Sequence, residues 1–418
     1  MKQNKEKEIL VYADWYMLDS PQLIGRLCFV SLRGKTVYSF EYDNEWIRIG
    51  ISIDPELPLF SGLHYASSND NFGIFKDASP DRWGQLLMKR REILLSKTEK
   101  RTPRSLIGID FLLGVHDSHR MGGLRFKDAE QGDFLSNDQR LAAPPWTSLR
   151  DLEYAVAQYE KNADELDEAS LKWINQLIAP GSSLGGARPK ADVVDTNGKQ
   201  WIAKFPSQKD DSDVGLWEMI VHELAIQAKI TVPNAFIKKL ASPYHTYLSQ
   251  CFDRSEDNKR IHYASAMTLL QRTDGDDADG GVSYLDIVGF IKSDCADSTA
   301  NLEELFRRVL FSICISNTDD HLRNHGFLYT ETGWALSPAF DINASETGTG
   351  LKLNIDEEDN SLEIDLVMNT APYYLLSDNR AKEIKDEVIE AVSTWRKVAV
   401  KYKISPSEID RKAKAFQV

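Results

Sequence analysis

Cysteine is scarce: the 418 residues hold four (Cys28, Cys251, Cys295, Cys314), scattered and with no CxxC pair. That pattern excludes a zinc ribbon and a disulfide framework, and it reads as reduced, mostly buried thiols of a cytoplasmic protein. Long apolar runs are missing as well. No stretch approaches the ~20 residues needed to cross a bilayer, so no membrane association is expected. The leading MKQNKEKEIL has charge but no apolar core of a secretory signal. An excess of positive charge is also lacking. The formal net charge of −14 argues against tight nucleic-acid binding by the chain alone. One local exception runs through Lys89-Arg90-Arg91, Lys97, Lys100, Arg101 and Arg104. It reads as the solvated face of a helix and its exit loop, with a contact surface for a nucleic-acid-bound partner as the alternative. No repeat of solenoid period is visible.

What is present is an ordinary globular composition, 42% hydrophobic and 27% charged, with length for two or three domains. Short β-rich runs occupy 8–45, including Ile9-Leu10-Val11-Tyr12 and Thr36-Val37-Tyr38-Ser39-Phe40, with a hairpin signal at Arg33-Gly34-Lys35. Ser79-Pro80-Asp81 predicts an N-cap and N1 proline for a helix over 79–98. The polar, proline-bearing stretch 127–146 reads as a linker. A helical segment over 148–178 follows, then two β-like runs joined by the turn Thr196-Asn197-Gly198-Lys199. Further helices are expected over 214–229, 283–292, 301–316 and 378–402, and a strand at 247–252. The order implies an α+β, two-lobed body, β-rich first and mostly helical later, with its cleft at the join.

Phosphoryl transfer needs a phosphate cradle, a cation for the phosphates, an acid for the hydroxyl proton and ligands for Mg²⁺. Candidates for all four occur in that order. Ser182-Ser183-Leu184-Gly185-Gly186-Ala187 could let backbone N–H groups converge on an anion. It is neither a Walker A loop nor GxGxxG, and taken alone a plain glycine-rich hairpin explains it better. Lys204 lies mid-strand in Trp201-Ile202-Ala203-Lys204-Phe205, unusual for a lysine unless its ammonium has a partner; an edge-strand lysine in solvent is the alternative. Glu218 could pair with Lys204 or be a surface charge. The strongest signal is Asn317-Thr318-Asp319-Asp320-His321-Leu322-Arg323-Asn324-His325, on a loop leaving an apolar helix. Asp319 and Asn324 are five residues apart, the base-to-metal-ligand spacing of kinase catalytic loops. Asp341 ends the next apolar run, where a second metal ligand is expected. His321 and His325 share the zincin histidine spacing, but Leu322 stands where a zincin needs glutamate. The acidic stretch 274–280 has the wrong spacing for an EF-hand and reads as a solvated loop.

With these residues in view, the chain resembles the HipA family, kinases that are the toxin half of bacterial toxin–antitoxin pairs. Phe72-Gly73-Ile74-Phe75 and Ser79-Pro80-Asp81-Arg82-Trp83-Gly84 look like the family's N-terminal domain, and Gly122-Gly123-Leu124-Arg125-Phe126 like its Gly-Ala-Leu-Arg-Phe segment. Ser183 to Lys190 is similar to the glycine loop, Trp201 to Pro206 to the lysine strand, and Phe252-Asp253-Arg254 to the segment after the hinge. Asn317 to Asn324 and Asp341 match the catalytic and metal motifs. The match covers most of the chain and implies an N-terminal subdomain over 1–130, a kinase N-lobe over 131–255 and a helical C-lobe over 256–418.

The resemblance implies a serine/threonine protein kinase with ATP and Mg²⁺ as cofactors. Asp319 would be the catalytic base, assisted by His321 beside the phosphates. Asn324 and Asp341 would hold Mg²⁺. Lys204 would bind phosphates under the glycine loop (Ser183, Gly185, Gly186, Ala187), and backbone groups from Gln250 to Phe252 would read adenine. Ser183, with Ser182 as a second candidate, would be the autophosphorylation site. The family's partner is a helix-turn-helix, HipB-like antitoxin, through which DNA would be contacted, and its known substrates are aminoacyl-tRNA synthetases. Arg188-Pro189-Lys190 replaces the commoner Gln-Glu-Lys, and Gln250 replaces a glutamate. A catalytically weak module that mainly grips an antitoxin, and a small-molecule or lipid kinase, are the competing readings.

Overall fold

The structure, a computed structural model, describes residues 7–32, 35–67, 70–138, 143–162, 168–178, 186 and 188–418. The fold is α+β, with a β-rich N-terminal part and a mostly helical C-terminal part. It divides into two compact units, Met1–Lys209 with Asp253–Ala264, and Asp210–Phe252 with Ser265–Val418.

Period-two burial builds the sheet of the first unit. Strands β1 (Lys7–Ala13), β2 (Gln22–Leu32), β3 (Lys35–Tyr42), β4 (Leu63–Tyr65) and β5 (Leu124–Lys127) pair antiparallel in the order β4-β3-β2-β1-β5. Leu32 lies opposite Lys35 in the antiparallel pair of β2 and β3, while Arg33-Gly34, the predicted turn, lies outside the described residues. Thr36, Tyr38, Phe40 and Tyr42 turn inward. Phe40 meets Phe75, and Phe75 meets Phe126, at 5.8 and 6.1 Å between ring centres. Two motifs far apart in sequence also join here. The Gly122 N–H donates to Asp253 Oδ2 at 2.8 Å. Gly122 has φ +74, and a Cβ there would lie 3.0 Å from the Tyr263 nitrogen, so only glycine fits.

The helix expected over 79–98 runs from Arg82 to Thr98, and its N-cap is Asp81, whose side chain accepts the Gly84 N–H. Pro80 stands one residue before that cap rather than at N1. Two arginines of the basic run are paired with neighbouring acids. Arg101 pairs with Glu92 and Glu99, and Arg104 with Asp110. Lys89 and Arg90 lie over the Phe111 and Tyr159 rings. The helical stretch 148–178 is two helices, Leu149–Lys161 and Glu168–Ile178. Strands β6 (Lys190–Val194) and β7 (Gln200–Lys204) form the expected hairpin, with Lys190 opposite Lys204 and Gly198 at φ +78 in the turn.

Burial holds two imidazoles of this unit neutral. Desolvation brings His262 down to about 3. His119 also falls to about 3, through desolvation first and then His116, Arg254 and Arg260 nearby. Below the ordinary histidine value the unfolded chain takes up protons that the folded unit refuses. Stability is therefore complete above about pH 6.5 and falls as the pH drops toward 3. His262→Phe preserves a ring against Trp15, on which His262 stacks at 4.7 Å. It should flatten the loss between pH 7 and pH 4 by roughly 2–4 kcal/mol. Urea midpoints at the two pH values measure this, and equal slopes in the two proteins would refute it.

In the second unit, the helix Val214–Gln227 lies against the antiparallel hairpin of β8 (Ala235–Lys239) and β9 (His245–Gln250). The helix Ser298–Cys314 is buried from Leu305 to its end and packs on Asp378–Ser393. The expected helix 378–402 is broken at Thr394, after which Trp395–Lys401 starts afresh. The Thr394 hydroxyl donates back to the Ala391 carbonyl at 2.8 Å, a local bond that competes with helix continuation. Cys295 and Cys314 are buried thiols pushed up to about 12 by desolvation, and none of the four cysteines is in a disulfide. Among the described residues no helix is long and apolar enough to cross a membrane.

Candidate active site

The loop after Ser298–Cys314 owes its shape to how that helix ends. Ser316 adopts φ +51; its N–H reaches the Ile313 carbonyl at 3.0 Å, and the Asn317 N–H reaches that of Ser312 at 2.7 Å. This is a Schellman closure with serine where glycine is usual. Gln417 braces it, donating from its backbone to the Cys314 carbonyl at 2.8 Å and from its side chain to Ser316 Oγ at 3.3 Å.

From that turn the two neighbouring aspartates part. Asp319 is exposed and Asp320 is buried. The Asn324 amide donates to the Asp319 carbonyl at 3.0 Å, which fixes the orientation of its side chain. Asp320 receives the Tyr284 hydroxyl at 2.7 Å and the Ser312 hydroxyl at 3.2 Å on Oδ2, while His325 Nε2 stands 2.9 Å from Oδ1. Burial alone would raise the Asp320 carboxyl, but His325 and Tyr284 more than offset it and hold it below the usual carboxylate range. His321 is half-buried, and its Nδ1 has no hydrogen-bond partner among the described residues.

The segment leading to Asp341 is pinned from several sides. Leu336 N–H donates to Asn301 Oδ1 at 2.6 Å, Arg308 to the Ser337 carbonyl at 2.8 Å, and Ala339 N–H to the Thr231 carbonyl at 2.8 Å. The next turn places Asp341 at φ +56, a left-handed backbone that is uncommon outside glycine and clusters at functional sites. The Asn343 amide donates to both the carbonyl and Oδ1 of Asp341, at 3.2 and 3.3 Å. Its N–H contacts Asn317 Oδ1 at 3.4 Å. The two predicted metal-binding segments therefore meet. Asn317, Asp320 and Asn324 from one, and Phe340 and Ile342 from the other, line a single cavity of about 20 Å³, room for about one water.

The remaining candidates fall as follows. Phe252 packs against Phe340 at 5.3 Å, beside Asp341. The Gln250 N–H donates to the Asn234 carbonyl at 2.8 Å, and its side-chain oxygen accepts from Asn234 at 2.9 Å. Glu218 is 5% exposed, which removes the surface-charge alternative. The Tyr247 hydroxyl is raised well above its ordinary value by desolvation first, and then by Glu218 and Asp341. In the first unit Lys204 is 8% exposed, so it is not a solvated edge lysine. The Gly186 carbonyl accepts from Lys190 Nζ at 3.0 Å. Ser182, Ser183, Gly185 and Ala187 lie outside the described residues.

Reasoning from the sequence missed Asp320, Tyr284, Ser312 and Asn343, because nothing in a run of polar letters distinguishes a buried acid from an exposed one. It also missed Gly348, where a Cβ would come 2.0 Å from Thr318 Cγ2, one residue before Asp319. The glycine in Glu346-Thr347-Gly348 was the available signal. Among the described residues no group of three or more His, Cys, Asp or Glu could hold a metal. The donor set around Asn324 and Asp341 is one carboxylate and one amide oxygen, hard ligands that suit Mg²⁺ completed by water and phosphate oxygens.

The family model described as the HipA-like C-terminal domain matches residues 182–395, just over half of the chain. The chain belongs to the HipA family. The fold of this HipA-family chain is similar to that of a Shewanella oneidensis HipA solved with HipB and its operator DNA. The TM-score is 0.65 at 17% identity, covering 96% of this chain and 94% of that one. A Helicobacter pylori proinflammatory kinase, CtkA, aligns at a TM-score of 0.34 and 10% identity, over 51% of this chain and 95% of its own. A curated Haemophilus influenzae protein printed as "Putative kinase" is 32% identical over 97 residues, 22% of this chain. The HipA-family chain thus spans only 28% of that relative's length.

Proposed function

We propose that this HipA-family chain is a serine/threonine protein kinase that uses ATP and Mg²⁺. The observation that carries the reading is the exposed Asp319 on a loop whose backbone the Asn324 amide ties, and whose Asn317 meets Asn343, two residues past Asp341. Asp319 accepts the proton of a protein serine as its oxygen bonds to the γ-phosphorus and ADP departs. Asn324 and Asp341 are the residues that would hold Mg²⁺, which supplies charge neutralisation on the phosphates. His321 stands on the same loop, where an imidazole N–H can donate to a phosphate oxygen. Lys204 and the glycine segment serve the phosphates, with Ser183 or Ser182 as the self-modified serine, and the Gln250–Phe252 segment serves adenine.

The Shewanella structure contains HipB and operator DNA, which supports a toxin–antitoxin role here too. The partner would be a helix-turn-helix antitoxin, DNA would be contacted through it, and an aminoacyl-tRNA synthetase is the substrate of choice. The net charge of −14 and the pairing of Arg101 and Arg104 with neighbouring acids agree with DNA contact through a partner.

Incubation with γ-labelled ATP and Mg²⁺, alone and with a bacterial lysate, tests the reading. Label should appear on Ser183 or Ser182 and on a protein from the lysate. Lys204→Met should cut kcat/KM for ATP roughly 10²-fold, as loss of one preorganised charge does. Absence of label on any protein, in wild type as in the variant, would end the proposal.

A further inference from the structure

The segment Ser79-Pro80-Asp81-Arg82-Trp83-Gly84 has no part in the reaction proposed above, yet its side chains close on the end of the glycine-rich segment. Asp81 Oδ2 lies 2.7 Å from Lys190 Nζ, and the two side chains are 2% and 1% exposed. Charges this buried persist only when paired and hydrogen-bonded. Asp81 divides its oxygens between two tasks. Oδ1 caps the helix Arg82–Thr98 through the Gly84 N–H at 2.9 Å, and Oδ2 takes the lysine. Lys190 also donates to the Gly186 carbonyl at 3.0 Å. Trp83 Nε1 donates to the Lys190 carbonyl at 3.1 Å, and its ring is fixed edge-on against Tyr159 at 5.4 Å.

The place of Lys190 in the hairpin gives this clamp its meaning. Lys190 opens β6 directly opposite Lys204. Opposed residues of an antiparallel pair leave the sheet on the same face with Cβ atoms about 5 Å apart, and like charges there repel. The Asp81 carboxylate neutralises one of those two ammonium groups. It also ties the strand that carries it, and the Gly186 carbonyl before it, to the capped start of a long helix.

We propose that Asp81 and Lys190 are a positioning pair for nucleotide binding. They anchor the Gly186 carbonyl and the start of β6, so that the Lys204 strand paired with it holds its register against a triphosphate. The proposal rests on the kinase reading and deepens it by giving the Ser-Pro-Asp segment a task.

The test combines amide hydrogen exchange over residues 186–194 without nucleotide with ATP kinetics, in wild type, Asp81→Asn, Lys190→Met and the double variant. Asp81→Asn retains a cap oxygen for Gly84 and removes the charge. The double variant leaves no lone buried charge, so it stays folded even where a single change does not. Exchange from Gly186 to Lys190 should quicken by about tenfold or more in the double variant. Its KM for ATP should rise about tenfold while kcat stays within about twofold. Unchanged exchange overturns the anchoring, and faster exchange with wild-type KM overturns the nucleotide role. A wild type that binds no fluorescent ATP analogue overturns both this proposal and the kinase reading. That result is distinct from failure of this proposal alone, in which wild type binds and the variants match it.

Discussion

Asp319→Asn should lower phosphate transfer roughly 10²–10⁴-fold, the usual loss when a positioned base is removed. Folding and nucleotide binding should be nearly untouched. The Asp319 side chain is exposed, and the contact that organises the loop, from the Asn324 amide, is made to its backbone carbonyl rather than its carboxylate. An isosteric amide at an exposed position should leave the melting temperature within about 2 °C, as surface changes generally do. Single-turnover transfer, nucleotide titration and thermal melting on the same preparations check the three parts together. A variant that transfers phosphate at the wild-type rate would remove Asp319 from the reaction.

The neighbouring residue should give the opposite result. Asp320→Ala is expected to destabilise the second unit by roughly 3–5 kcal/mol, the range for breaking a buried, multiply bonded carboxylate. The change would strand the Tyr284 and Ser312 hydroxyls and His325, which now converge on it within 3.2 Å. It would also enlarge a cavity that already adjoins the site. The effect carries a pH signature. Because the folded carboxyl is held below its ordinary value, its contribution is complete above about pH 4. It is lost as the pH falls through the lower folded value. The gap between wild type and variant should therefore be widest near neutrality and shrink in acid. Urea melts at neutral and acid pH read both numbers, and coincident neutral melts would dismiss the network as a stabilising element.

These two residues show what the sequence could and could not reveal. The five-residue spacing from Asp319 to Asn324, the apolar helix before it and the next acid at 341 are features of order and interval. Those survive in a string of letters. Which of two adjacent aspartates faces water is not such a feature, for it depends on a left-handed turn at Ser316, on Ser312 in the preceding helix and on Tyr284 arriving from another one. Burial of Lys204 and Glu218 was undecidable for the same reason. The β2–β3 and β6–β7 hairpins were legible because their turns carry Gly and Asn. The helix break at Thr394 was not, since a single side-chain bond to Ala391 decides it. Nor could the sequence show that Glu92, Glu99 and Asp110 stand beside Arg101 and Arg104.

The left-handed backbone at Asp341 narrows the ways in which this position can drift over evolution. Few residues besides glycine tolerate that conformation, and asparagine and aspartate are the usual ones. The mildest mutation available there is consequently Asp341→Asn, which relaxes nothing in the chain trace and deletes one unit of negative charge. If Asp341 holds Mg²⁺ as proposed, decay by that route would silence chemistry long before it unfolded the protein.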